Sequence, residues 1–462
     1  MHCHTWIKNS LGVLAFHLLV CVMGTPAIAW QDPSPAPIQF EDFFLDKALR
    51  LELFLTGDAK ELVTTIHAIA EEPLWPECPS HCVTSLPYGR FRVQVTDSVS
   101  KQLIYSRGFD TLFAEYATTK PALEGKKKVY PSTVRIPFPK RPVNLSIERR
   151  NPDLSYSAVL SEQLDPESIA IRKESVSKPT AIKELHTSGD PKNRVDIAFL
   201  AEGYTLDEEE KFWKDAERMT SALFETAPYS ENKDRFNIRA VFCASTESGT
   251  DNPRKGIFRN TVLGSSFNAL DIDRYLLVED NHRMHQIAAA VPYDSIVVLV
   301  NSTTYGGGSI CLDYCVCTTD LPSSPKVFVH ELGHGLCYLA DEYVGNVSYN
   351  DIFPEGIEPV EPNITRELDP NKIKWKAFLT KDVSIPTTQK AARELTKQSA
   401  TERVVGAFEG GGYLSKGMYR AEYRCLMGTS DSKQGFCVAC EQGILRVLDH
   451  YAPTTSNDSP TK

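Results

Sequence analysis

Two patterns meet at Val195, and together they limit what this chain can fold into more than any other feature. Upstream, from about Phe40 to Arg149, short runs such as "LRLELFLTG", "GRFRVQVTD" and "KQLIYSRGF" alternate apolar and polar residues. A period of two lays one face of a strand on a core and gives the other to water. "STVRIPFPKRPVNLSIERR" reads as a pair of edge strands, since proline cannot donate to a sheet ladder and is tolerated at margins. A β-sandwich is therefore predicted over 30–150, with Trp75 and Tyr105 in its core. Downstream, "VDIAFLAEGY" is apolar without alternation, as expected of a strand buried on both faces. Thr205 and Glu208 then form a capping box that opens a helix in "EEEKFWKDAERMTSALF". "FNIRAVFCAS" and "SIVVLVNS" are two more buried strands, and another helix follows. Strand alternating with helix predicts an α/β domain with a mixed or mostly parallel sheet over 195–452. Residues 151–194, rich in Pro, Ser and charge, read as a linker with room for a short strand or helix, and 453–462 as a tail. The fold class is thus α+β and multidomain.

The first 29 residues read as a targeting segment. Lys8 supplies the positive start, "LGVLAFHLLVCVM" the apolar run, and Ala27-Ile28-Ala29 the small residues of a cleavage site. That run is short for a bilayer span and contains His17, and Cys21 lacks the small preceding residue of a lipidation site. Export is expected, to the extracellular space or to the periplasm of a bacterium, as a mature protein without a membrane span. Cleavage removes Cys3 and Cys21 and leaves ten cysteines, for which disulfides are the expectation in an oxidising compartment. Their spacing does not fix connectivity, and Cys437-Val438-Ala439-Cys440 offers a structural zinc pair instead. A net charge of −10 argues against nucleic-acid binding, which needs a basic face to displace counterions. Asn144, Asn301, Asn346, Asn363 and Asn457 begin glycosylation sequons.

The chemistry concentrates in "VFVHELGHGLCYLADEY", Val327 to Tyr343. On a helix, His330 and His334 lie one turn apart and can share an ion, with Glu331 beside them. Two imidazoles, an open coordination position and a carboxylate that takes a proton from water are what zinc hydrolysis requires. Two ordinary histidines on one helix face are the plain alternative. A third ligand is needed. Asp341 is the nearest candidate, yet seven further residues of straight helix would carry it about 10 Å beyond His334. The helix must break, and Gly335 permits this, but "LCYLA" contains no second glycine. Glu342 is the runner-up, and Glu422 and Asp431 are more distant candidates. Tyr419 and Tyr423 offer phenols for an oxyanion or substrate contact, with packing as their alternative role. "STTYGGGSICL" reads as an exposed strand for peptide pairing, or as a loop.

"HELGHGLCYLADEY", "GAFEGGGYLSKGMYRAEYRCLMG" and "FCVAC", with "VDIAFLAEGYT" and "LIYSRGFDTLFAEYATT" upstream, resemble the secreted IgA-peptidase family of zinc metallopeptidases. The resemblance implies a metzincin-like catalytic domain behind an amino-terminal β-sandwich. It also implies one zinc ion held by His330, His334 and Asp341, Glu331 as general base and later acid, and Met427 as the methionine turn beneath the metal. The wider metzincin pattern expects glycine and a third ligand where Cys337 and Ala340 stand; the shift to Asp341 agrees with this particular family. The function implied is a secreted zinc endopeptidase acting on protein or peptide, with immunoglobulin cleavage left open. A non-catalytic binding protein on the same scaffold and a zinc amidase acting on non-protein amides are the alternatives.

Overall fold

The amino-terminal part owes its shape to strands whose alternate residues are buried. The computed structural model describes residues 38–173, 179–345, 352–399, 403–428 and 435–453. The leader, Asn346, Asp431 and Asn457 fall outside these. One four-stranded sheet runs in the order Lys128–Pro139, Phe44–Gly57, Leu62–Glu72, Ile171–Arg172. A second runs Leu103–Phe109, Phe91–Asp97, Val143–Arg150, Tyr156–Leu164. Phe91, Val93 and Val95 alternate inward toward Leu49, Leu51, Leu53 and Ile136 in one core. Trp75 and Tyr105 are buried edge to face within this part, with centroids 5.6 Å apart. Of the two strands expected at edges, Lys128–Pro139 is one, but Val143–Arg150 lies inside its sheet because Tyr156–Leu164 pairs outside it. The region expected as a linker therefore carries structure: Tyr156–Leu164 and Ile171–Arg172 complete the amino-terminal sheets, and Ala181–His186 joins the next one. These strands are mostly polar because they lie at edges, which hid them in a sequence scanned for apolar runs.

The second part is built on a six-stranded mixed sheet in the order Gly307–Ile310, Tyr314–Thr318, Ser295–Val300, Val195–Glu202, Phe236–Phe242, Ala181–His186. Its four inner strands are parallel and its two edges antiparallel. Val195–Glu202 is buried at every position, which explains its lack of alternation. The predicted capping box is present, and the helix Glu209–Phe224 follows it after one turn of 3₁₀. Among the described residues, no helix is long and apolar enough to cross a membrane.

One helix, Ser324–Cys337, carries both histidines and lies against the sheet through Phe328, Val329, Leu332 and Leu336, all buried. Each such side chain contributes about 2 kcal/mol by leaving water. Gly335 does not end this helix. A Cβ there would lie 3.0 Å from Ser309 Oγ and 3.3 Å from the Cys315 Cβ, so glycine allows the helix to approach the sheet. The break comes at Tyr338, which adopts a left-handed conformation with φ 56°. The Tyr338 amide donates to the His334 carbonyl at 3.2 Å, the bond of a left-handed helix ending, here without its usual glycine, and the Leu339 amide donates to the Gly333 carbonyl at 3.1 Å.

The amino-terminal sandwich accounts for that exception. Tyr338 stacks on Tyr88 at 5.2 Å with planes 14° apart, and its hydroxyl accepts from Arg150 Nη2 at 3.2 Å. Elsewhere Arg135 donates to the Tyr293 carbonyl, and Gln286 donates to Glu52 at 2.9 Å. The described residues from 38 onward accordingly form one compact unit.

A left-handed tyrosine costs about 1–2 kcal/mol, which glycine would recover. Truncating a buried aromatic costs about 3–5 kcal/mol. Packing should win, so Tyr338→Gly should lower stability by about 2 kcal/mol in equilibrium denaturation. Tyr88→Ala should add little further loss in the double variant, because both changes remove the same stack. Full additivity would show that Tyr88 does not hold the turn.

Candidate metal centre

Once Tyr338 has turned the chain, Asp341 returns beside the helix it has just left. His330 Nε2 and His334 Nε2 are 3.1 Å apart, and Asp341 Oδ1 lies 3.2 Å from the first and 3.4 Å from the second. For a tetrahedral zinc ion with ligands at about 2.0–2.1 Å, neighbouring ligand atoms should stand about 3.3 Å apart. The triangle has that size. Both imidazoles are oriented from behind: His330 Nδ1 lies 3.1 Å from the Leu426 carbonyl, and His334 Nδ1 lies 2.5 Å from that of Leu339. Donation by Nδ1 leaves each Nε2 lone pair facing the shared point. Asp341 Oδ1 is buried and accepts no hydrogen bond in the protein, as a ligand oxygen awaiting a cation should be. The residues present thus fit a metal ion.

The neighbouring groups set the charge at this point. Burial alone would depress the His330 pKa, but the Asp341 carboxylate beside it raises it to about 9, and His334 is raised in the same way. Burial pushes Asp341 up, and the two imidazoles more than reverse this, holding it far below the usual carboxylate range. Glu331 is raised by its recessed position.

Met427 is fully buried, and its Sδ packs against Gly333 so closely that a Cβ there would come within 3.1 Å. The same turn supplies the Leu426 carbonyl to His330 and the Met427 carbonyl to the Glu342 amide. Glu342 faces away from the histidines and accepts from Asn363, Cys437 and Cys440. Glu422 is bound by Arg403 at 2.8 Å and caps Val438 at the start of the last helix, Val438–Tyr451. Of the described carboxylates considered for the third position, only Asp341 meets the histidines.

Tyr419 and Tyr423 do not line the site. Tyr419 is buried in the strand Leu414–Arg420, and Tyr423 packs on Phe408 and Arg420. The phenol at the centre is Tyr413, which donates to Asp341 Oδ2, with Tyr343 edge-on to it at 5.3 Å. The sequence signal for it was the glycine run just before it. Gly410, Gly411 and Gly412 let the chain turn back so that Gly412 donates to the Asp341 carbonyl at 2.8 Å and Tyr413 to that of Tyr343 at 3.0 Å.

These groups open into a cleft of about 1110 Å³ whose far wall includes Arg90, Asp110, Arg149 and Arg150 of the amino-terminal sandwich. The glycine-rich stretch does form an edge strand, Gly307–Ile310, but it is largely buried, and its Gly307 carbonyl already accepts from the Leu276 amide at 3.3 Å. A peptide could not pair with it as an open edge at that position. Among the described residues no two cysteines stand at disulfide distance, so the expected disulfides are not confirmed, and most of the ten described thiols are buried. Asn363 and Asn301 are buried, and their side-chain amides are already bonded, so neither is an accessible glycan acceptor; Asn144 is exposed.

Tyr413→Phe should weaken metal binding about 10- to 100-fold, because it removes a hydrogen bond that orients a ligand. Tyr419→Phe should leave it unchanged, and competition against a chromophoric chelator would read both. Metal binding should also depend on pH in a defined direction. His330 in the metal-free fold is raised from 6.5 to about 9, so its imidazolium contact with Asp341 is fully present below 6.5 and lost as pH rises through 9. Metal takes the neutral ring. Apparent affinity should therefore climb with pH up to about 9 and level above it, with proton release on loading falling away as pH passes through 9.

The comparison with known families agrees with this geometry. A family model described as IgA Peptidase M64 matches residues 183–399 and 388–448, and one described as Peptidase M64 N-terminus matches residues 39–161. No curated protein matches the chain. The first model spans more than half of the chain and covers the helix with both histidines, Asp341 and Met427, and the second covers the sandwich that turns Tyr338, so the chain belongs to the IgA peptidase M64 family of metallopeptidases.

Proposed function

We propose that the protein is a secreted zinc-dependent endopeptidase with Glu331 as its general base, on a metzincin-like catalytic domain. The observation that carries this reading is the convergence of His330 Nε2, His334 Nε2 and the unpartnered Asp341 Oδ1 on one point at the cleft floor. Zinc, when bound, supplies Lewis acidity that brings the pKa of water toward neutrality and polarises a carbonyl. Glu331, next to the ligand His330 and lining the same cleft, accepts the proton of the attacking water and returns it to the leaving amine. Tyr413 and the carbonyls of Leu426 and Leu339 keep the ligands oriented while this proton moves. The methionine turn under Gly333 and the antiparallel outer strand support the metzincin-like reading.

A peptide fits the cleft better than a small amide does. Small-molecule pockets usually enclose about 300–1,000 Å³. This cleft is larger, and charged groups such as Arg90, Asp110 and Glu361 line it together with apolar and aromatic side chains such as Phe353, Val360 and Tyr343. Export is supported by the leader sequence, with Lys8 ahead of an apolar run and small residues at its end.

The test is cleavage of casein or a mixed peptide pool by the mature protein, with chelator, zinc add-back and a folded Glu331→Ala variant. Chelation should abolish activity and zinc restore it. Glu331→Ala should keep its metal yet lose about 10²- to 10⁴-fold in kcat/KM. Wild-type turnover in the variant would remove Glu331 from the chemistry, and a wild type that holds and accepts no zinc would overturn the reading altogether.

A further inference from the structure

On the opposite side of the Asp341–Glu342 pair, four more potential ligands converge. Cys425, Cys437, Cys440 and Glu342 are all buried, and one ligand atom from each lies within 4.8 Å of the others. Cys425 Sγ and Cys440 Sγ are 3.6 Å apart, and Glu342 Oε1 lies 3.2 Å from Cys437 Sγ and 3.1 Å from Cys440 Sγ. A tetrahedral zinc with thiolates at about 2.3 Å would set its sulfurs about 3.8 Å apart. From this arrangement we infer a second, structural zinc site with three thiolates and one carboxylate, separate from the histidine site.

Three features of the surroundings favour a cation over buried thiols. Hydrogen bonding to Glu342 is lopsided: Oε1 takes Asn363 and two thiols, while the equally buried Oε2 has no partner. Backbone amides are aimed at sulfur, with Cys437 N 3.1 Å and Met427 N 3.5 Å from Cys425 Sγ, the placement that steadies a thiolate. Cys437 and Cys440 sit at the N-cap and third position of the helix Val438–Tyr451, where the helix dipole favours negative charge. A disulfide fits less well. It would join two of the three cysteines, leave the third as a thiol, and leave Glu342 buried beside them without a cation.

Metal entry releases the three thiol protons to solvent. It also joins three segments that serve the first site: Asp341 through its neighbour Glu342, the Leu426–Met427 turn through Cys425, and the last helix through Cys437 and Cys440. The two ions therefore stand back to back across one dipeptide.

Metal content of the full mature chain, purified without chelator, tests the inference. Two zinc ions per chain are expected in the wild type, and one should remain in a His330→Ala/His334→Ala variant. Cobalt loading of that variant should give the strong near-ultraviolet thiolate-to-cobalt band, and a Cys437→Ser/Cys440→Ser variant, if it folds, should lack it. The histidine variant decides the matter if the cysteine variant does not fold. Absence of metal and of the thiolate band in the histidine variant would overturn the site. So would a disulfide from Cys425 to Cys437 or Cys440, detected by peptide mapping of the unreduced wild type with its mass lighter by two hydrogens. Neither result depends on whether the protein cleaves peptides.

Discussion

The left-handed turn at Tyr338 is the constraint on which the rest of the site depends. A straight helix would carry Asp341 far from the histidines, and no glycine is present where the chain must reverse. The conformation is unfavourable for tyrosine on its own, so it persists only because something else holds it. That hold comes from Tyr88 and Arg150, two residues of the sandwich. The candidate metal ligands belong to the second half of the chain, but the geometry that unites them is completed by the first.

Around that turn, each group in the centre is oriented by a backbone contact or by a second side chain. The Leu426 and Leu339 carbonyls set the rings, Tyr413 sets Asp341, and Met427 fills the space under the helix. Consecutive acids then divide the labour, Asp341 facing the histidines and Glu342 the cysteines. Small displacements of the 425–428 segment would be felt on both sides at once, because it touches His330, Glu342 and Gly333.

Much of this was legible in the sequence, and what was not shares a cause. The paired histidines were visible because four-residue spacing is a local property of a helix, and the buried strands because apolar runs are local as well. The capping box at Thr205 was equally readable. Asp341 was legible as a candidate but not the turn that delivers it, since Tyr338 is held by residues far away in the chain. Gly335 misled for a related reason: it serves close packing on Ser309 and Cys315, not a break. Tyr419 and Tyr423 lie near Met427 in sequence but not at the site, whereas Tyr413 reaches it by a sheet turn. Edge strands such as Tyr156–Leu164 escaped because a polar edge resembles a linker.

The clamp on Tyr338 also bears on how such a chain can diverge. The sandwich and the peptidase region look like modules that could be exchanged between relatives. Yet a donor sandwich would have to bring an aromatic ring at position 88 and a donor group at position 150 to match the acceptor's Tyr338. Recombination between the halves is therefore coupled at a few residues on either side, and the two are expected to be inherited together and to drift in concert.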